Sequence, residues 1–211
     1  MISVPLYALV LLMAAPAQGK EASGEAAVSV DAVGHTPIGV IDGFCTALID
    51  VMRHADQLGY DGRYAALDPV IRKAFDLPTM TKIVAGTSWS GWSDNQRAAV
   101  SEAFARFVVS TYARRFDGYS GESFVTDTPL PLGNGILVMT RLVQKAAPAV
   151  TLNYLLRQRP GAPWQIVDVF LTGSISELAT RRSEFSAVID HEGYQGLLNA
   201  LKAKTNSTPE P

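Results

Sequence analysis

Apolar residues recur at helical spacing over the first half of the chain and alternate over much of the second. Thr36-Pro37 has the form of an N-cap followed by proline at the first helical position. Ile38, Ile41, Cys45, Leu48 and Met52 then share one side of a helix of about five turns, predicted to end near Gly59. Residues 61–85 predict two shorter helical pieces, broken at Asp68-Pro69 and Leu77-Pro78. Trp89-Ser90-Gly91-Trp92 reads as an aromatic turn. Ser93-Asp94-Asn95-Gln96 has capping-box form and opens the longest helix, to about Asp117. Val100, Phe104, Phe107, Val108, Tyr112 and Phe116 lie along one side of it. Residues 123–128, 135–145, 149–159 and 164–171 then read as strands, and their short Gly- or Pro-bearing connections predict an antiparallel meander. Two closing helices are expected over 174–189 and 193–204. Helices, then strands, then helices predict an α+β fold with helices packed on one face of a curved sheet.

The 211 residues suit one domain with a sizeable core. Formal net charge is −2, with no excess of Lys and Arg that would suit nucleic acid and no basic block for an anionic membrane surface. Val4 to Ala15 is an apolar run too short to span a bilayer, and Ala15-Pro16-Ala17 has the A-x-A form of a signal-peptidase site. The expected organisation is a signal peptide over 1–17 and a flexible lead-in over 18–35, followed by one domain over 36–204 and a disordered tail over 205–211. Gly19 is the alternative cleavage site. Cys45 is the single cysteine, so no intrachain disulfide can form, and its neighbours Ile41, Phe44 and Leu48 suggest a small buried apolar residue.

Candidate chemistry is sparse. His35, His54 and His191 have no metal-ligand spacing and are expected on the surface. Two stretches, Gly86-Thr87-Ser88-Trp89-Ser90 and Gly118-Tyr119-Ser120-Gly121-Glu122, approach the nucleophile-elbow pattern G-x-S-x-G, but each lacks the final glycine and neither follows a strand. Asp168 stands within the apolar run 164–171. It could act as a base with Tyr112 or Tyr154 in a cone-shaped α+β enzyme, or pair with Arg181 or Arg182, or cap a neighbouring backbone. No second catalytic group accompanies it, so no catalytic residue and no metal are assigned, and the chain is expected not to be an enzyme.

The C-terminal third carries a recognisable order of residues. Trp164-Gln165-Ile166-Val167-Asp168-Val169 is followed by Leu171-Thr172-Gly173-Ser174-Ile175-Ser176 and by Arg181-Arg182-Ser183-Glu184-Phe185, with Gly193, Leu197 and Leu198 beyond. Upstream stand Pro69, Phe75-Asp76, Met80, Gly86, Trp89, Gln96-Arg97, Phe104, Tyr112 and Tyr119-Ser120-Gly121-Glu122. This series resembles the MlaC family of periplasmic phospholipid-binding proteins, also called the toluene-tolerance auxiliary family, over about residues 36–204. Phe116 to Glu122 and Ile175 to Phe185 look closest to its hopanoid-associated HpnM branch.

The resemblance implies a highly curved sheet of four or five strands wrapped by six or seven helices, loosely like the nuclear-transport-factor-2 cone, with acyl chains entering between sheet and helices. It implies a periplasmic carrier of phospholipid or hopanoid, working between an inner-membrane ABC-transporter complex and an outer-membrane lipoprotein complex, neither spanning the membrane itself nor using a cofactor beyond its lipid cargo. Such a carrier needs a cavity about as apolar as the bilayer. At about 0.8 kcal/mol per buried CH₂, two tails of about 15 methylenes represent about 24 kcal/mol against water, above the practical affinity ceiling of about 18–21 kcal/mol. Transfer from membrane to cavity is therefore the relevant step, and there the large terms nearly cancel. Strand alternation places Val150, Leu152, Tyr154 and Leu156 on one face and Asn153 and Arg157 on a wetter one, while the run 164–171 looks buried on both sides. The expected lining is Phe104, Val108, Tyr112, Val138, Leu152, Tyr154, Val169 and Leu171. A periplasmic adaptor that binds only proteins remains the third reading.

Overall fold

The computed structural model describes residues 36–145 and 147–207. The signal peptide and lead-in expected over 1–35 lie outside the described residues, as do His35 and residues 208–211.

Helix α1, Pro37–Arg53, starts where the cap predicts: the Thr36 hydroxyl accepts the Gly39 N–H at 3.0 Å. Its stripe of Ile41, Phe44, Cys45, Leu48, Val51 and Met52 is buried. The span is interrupted at His54, yet i→i−4 bonding continues through it, from the His54 N–H to the Asp50 carbonyl at 3.3 Å and from the Leu58 N–H to the His54 carbonyl at 2.9 Å, and the backbone leaves the helical region at Gly59, near the expected end. Helix α2, Ala55–Ala74, bends at Gly59, which takes the left-handed φ of 58° that glycine tolerates. The break expected at Asp68-Pro69 does not occur. Pro69 sits inside α2, with Pro69 and Ala65 both exposed, so the carbonyl that loses its partner faces solvent. The chain turns instead at Phe75-Asp76. There Phe75 bridges to Ile166 and the Asp76 N–H donates to the Ile166 carbonyl at 2.9 Å. Asp76 also caps helix α3, Leu77–Ala85, through the Thr79 N–H at 3.2 Å and hydroxyl at 2.8 Å. The aromatic turn is a 3-10 helix, Gly86–Gly91.

Helix α4, Asp94–Arg115, opens on the expected capping box: the Ser93 N–H donates to Gln96 Oε1 at 2.8 Å, and the Gln96 N–H to Ser93 Oγ at 3.4 Å. Its buried surface is wider than the predicted stripe. Ala103, Ala105, Val109, Ser110 and Ala113 are buried as well, because α2 and the final helix flank it. Small residues at those positions let the neighbouring backbones approach.

Six strands among the described residues form one antiparallel sheet: β1 Ser123–Thr126, β2 Leu130–Leu132, β3 Gly135–Val143, β4 Val150–Gln158, β5 Trp164–Leu171 and β6 Ile175–Ser176. The order is β1-β3-β4-β5-β6, with β2 also on β3, and the sheet does not close. The two strands beyond the expected four, β2 and β6, are three and two residues long, too short for alternation to register. A bulge at Leu155/Leu156 explains the apolar character of both faces of β5. Leu156 pairs with Ile166 and Tyr154 with Val169, so core-facing residues stand three apart and Val167 is the extra residue. Asn153 is buried rather than wet, because the turn after β5 covers it and its Nδ2 donates to the Gly173 carbonyl at 3.3 Å.

The span α5, Glu177–Asn206, holds the two expected closing helices, which meet at Gly193, non-helical at φ 61° and ψ −146°; the second runs past Lys204. Arg114 donates to the Lys204 and Thr205 carbonyls at 3.1 and 2.5 Å, which ties this end to α4. The described residues thus hold five α-helical spans rather than six or seven, two of which are interrupted by non-helical backbone at Gly59 and Gly193. The architecture is α+β, with the helices gathered against the face of the sheet that carries Val138, Leu142, Leu152, Tyr154, Leu156, Ile166 and Val169.

Candidate functional site

Between that face and the helices lies a cavity of about 660 Å³. That is the size range of small-molecule sites, about 300–1,000 Å³. Every layer contributes to its wall: Met52 from α1, Phe75 from the anchored turn, Met80 from α3, Phe104, Phe107, Val108 and Tyr112 from α4, Leu142, Leu152, Val169 and Leu171 from the sheet, and Leu178 from α5. None of these can donate or accept a strong hydrogen bond except Tyr112. The wall therefore offers hydrocarbon-like surroundings and little that would discriminate by polarity.

The mouth is different in kind. Arg115, Asp117, Gly118, Ser120 and Glu122 ring it, together with Gln144, Thr172, Glu177 and Arg181. The Gly118–Glu122 stretch that approaches a nucleophile elbow is thus part of the rim, where the Ser120 N–H donates to Glu122 Oε2 at 2.5 Å. Arg181 is held firmly, donating to Glu177 at 3.1 Å and to Glu184 at 2.7 Å and lying 5.3 Å from the Phe107 ring centroid. Arg115 makes no ion pair among the described residues. The result is an apolar chamber with a charged, zwitterionic entrance, a profile suited to an amphiphile.

Six of the eight residues expected to line a cavity do so: Phe104, Val108, Tyr112, Leu152, Val169 and Leu171. Val138 and Tyr154 do not. Both are wholly buried, and Tyr154 packs edge-on to Phe44 at 6.0 Å, one ring behind the wall. Alternation gives the correct face for these two but not their position along the strand, and the cavity occupies one end of the sheet. Met52, Phe75, Met80 and Leu178 are additional lining residues that come from separate helices, so no local pattern unites them. The signal available for the rim was the 116–122 stretch itself, polar and glycine-rich directly after the longest helix.

Burial raises the pKa of Tyr112 and Tyr154. It also pushes the Cys45 thiol up to about 12, with Asp42 adding to the effect. These groups stay protonated near neutrality. Asp168 is committed elsewhere. It accepts the Val169 N–H at 2.8 Å, the Ser176 hydroxyl at 2.6 Å and the Leu178 N–H at 3.1 Å, and so caps the start of α5. This is the backbone-capping alternative rather than pairing with Arg181 or Arg182. Gly86–Ser90 lies in the 3-10 helix, and His54 and His191 are exposed. Among the described residues no group of three or more His, Cys, Asp or Glu side chains is placed to hold a metal, and no helix is long and apolar enough to cross a membrane.

Comparison with solved structures finds a phospholipid-binding protein from Ralstonia solanacearum, determined in complex with a phospholipid. The likeness has a TM-score of 0.67 at 18% identity and covers 79% of this chain and 92% of that one, which establishes a shared fold. Independently, the family model described as MlaC protein matches residues 44–203, from the middle of α1 almost to the end of α5. That match takes in the cavity's helices, its sheet and its rim together, and the chain belongs to the MlaC family.

Proposed function

We propose that this protein is a periplasmic lipid carrier that takes acyl chains, or a hopanoid, into the cavity and moves lipid between an inner-membrane ABC-transporter complex and an outer-membrane lipoprotein complex. The observation that carries the reading is the cavity itself, apolar in its depth and charged at its mouth. Family membership and the phospholipid held by the Ralstonia protein support it. Carriage also fits the energetics. A wall of aliphatic and aromatic carbon makes transfer from bilayer to protein nearly neutral, so cargo can be loaded and released. The HpnM-like stretches at Phe116 to Glu122 and Ile175 to Phe185 are the ground for including hopanoid. The export sequence over 1–17 is the ground for the compartment. The likeness to a nuclear-transport-factor-2 cone is part of the same reading.

An enzymatic reading loses its main candidate. A base must be free to take a proton, and Asp168 already accepts from three donors, two of which, the Ser176 hydroxyl and the Leu178 N–H, hold the start of α5. The test of the carrier is direct. The purified protein is extracted with organic solvent and the extract is examined by mass spectrometry beside phospholipid and hopanoid standards. Co-purified lipid in near-stoichiometric amount is expected. Protein that carries no lipid and takes none up from vesicles would overturn the proposal.

A further inference from the structure

Apart from Thr111, whose hydroxyl donates to the Phe107 carbonyl at 2.8 Å, the cavity is apolar except at its mouth and at one phenol in its wall. Tyr112 is that phenol, and Tyr154 stands behind it. Phe44 packs edge-on against both rings, at 5.3 Å from Tyr112 and 6.0 Å from Tyr154, and fixes them relative to each other. Tyr154 is wholly buried; its hydroxyl makes no hydrogen bond of good geometry, and the group near enough to become its partner is the Tyr112 hydroxyl. Its neighbours along and across the sheet, Leu152 and Val169, belong to the wall. A phenylalanine would pack as well here and would avoid burying an unmatched polar group. The hydroxyl thus faces the Tyr112 hydroxyl, and through it the cavity.

We propose that Tyr112 and Tyr154 form a hydrogen-bonding subsite inside the cavity for a lipid that carries an oxygen, hydroxyl or carbonyl, on its inserted hydrocarbon portion. Tyr112 meets the ligand oxygen, and Tyr154 completes the chain from behind. The two hydroxyls already influence each other's ionisation, and burial keeps both protonated, so each can donate one bond while accepting another. A plain saturated tail offers nothing to this pair. An oxygenated one matches it, and in surroundings this apolar the match discriminates. This inference rests on the carrier reading and narrows its ligand class.

The experiment measures binding of palmitate and of a set of palmitates bearing one hydroxyl at successive chain positions, by competition against a fluorescent fatty acid. At one position the hydroxyl is expected to tighten binding about five-fold. In Tyr154→Phe and in Tyr112→Phe the ratio of the two affinities is expected to fall to about one. If palmitate binds and no hydroxyl position gains, or if the gain survives both substitutions, the subsite is refuted while the carrier stands. If neither palmitate nor any hydroxylated form binds, the carrier reading falls and takes this inference with it.

Discussion

Asp168 on β5 accepts the Leu178 backbone N–H at 3.1 Å, and through that bond the last long strand sets the first turn of α5. Leu178 is buried and lines the cavity, with Glu177 beside it and Arg181 one turn on. A single carboxylate thus joins the sheet to one wall of the cavity and to part of its mouth.

Replacing that carboxylate separates a structural role from a chemical one. Asp168→Ala leaves the Val169 and Leu178 N–H groups and the Ser176 hydroxyl without their acceptor, and is expected to cost about 2 kcal/mol in urea unfolding. Asp168→Asn keeps one acceptor oxygen and should cost less. Bound lipid should decline in step with stability across the two variants. Full stability in Asp168→Ala would refute the capping role.

Filling the chamber should expel cargo without unfolding the protein. Val108 faces the space, so Val108→Trp is expected to at least halve the lipid recovered per protein while the thermal midpoint moves by only a few degrees. Val138→Trp is the control. Val138 is wholly buried away from the cavity, and the same enlargement there should destabilise the fold by about 1–3 kcal/mol or more. Equal lipid content in Val108→Trp and wild type would count against the cavity as the binding site.

The aromatic cluster behind the wall centres on Phe44, whose ring meets Phe75 at 5.2 Å as well as the two tyrosines. Phe44→Ala is expected to cost about 3–5 kcal/mol, read from denaturant midpoints at constant m-value. Phe44→Leu should recover most of that. A loss below about 1 kcal/mol for the alanine variant would show that the cluster collapses without consequence.

The bend at Gly193 is spanned by an ion pair, Glu184 with Lys204, and Glu184 also accepts from Arg181 at 2.7 Å. Burial alone would raise the Glu184 pKa. The hydrogen bonds from Lys204 and Arg181 outweigh it and hold the carboxyl below its ordinary value of 4.5. A carboxyl depressed by folding stabilises the native state above its unfolded pKa and loses that contribution as pH falls through the folded value. Glu184→Gln should therefore be less stable than wild type by about 1 kcal/mol at neutral pH, and the gap should close below pH 4.5. A gap that persists at about pH 3 would contradict the assignment.

Much of this molecule is legible in its linear order. The caps at Thr36 and Ser93, the apolar stripe of α1 and the run 164–171 are local features. Their physical causes act within a turn of helix or between adjacent residues, so spacing reveals them. Pro69 marks where that reasoning fails. A proline is kept inside a helix when it sits on the exposed side, where water can reach the carbonyl it leaves unpaired. That condition is not visible in a window of sequence.

By itself the chain's pattern determines the class of fold, the identity of the central helix and the face of each strand that meets hydrocarbon, because periodicity and capping are short-range. The bulge that makes Val167 the extra residue of β5, the exclusion of Val138 and Tyr154 from the cavity wall, and the convergence of Met52, Phe75, Met80 and Leu178 upon it belong to the tertiary structure. A cavity is the volume that packed elements fail to fill. Its position depends on how several surfaces meet at once, and no single stretch of residues encodes that meeting.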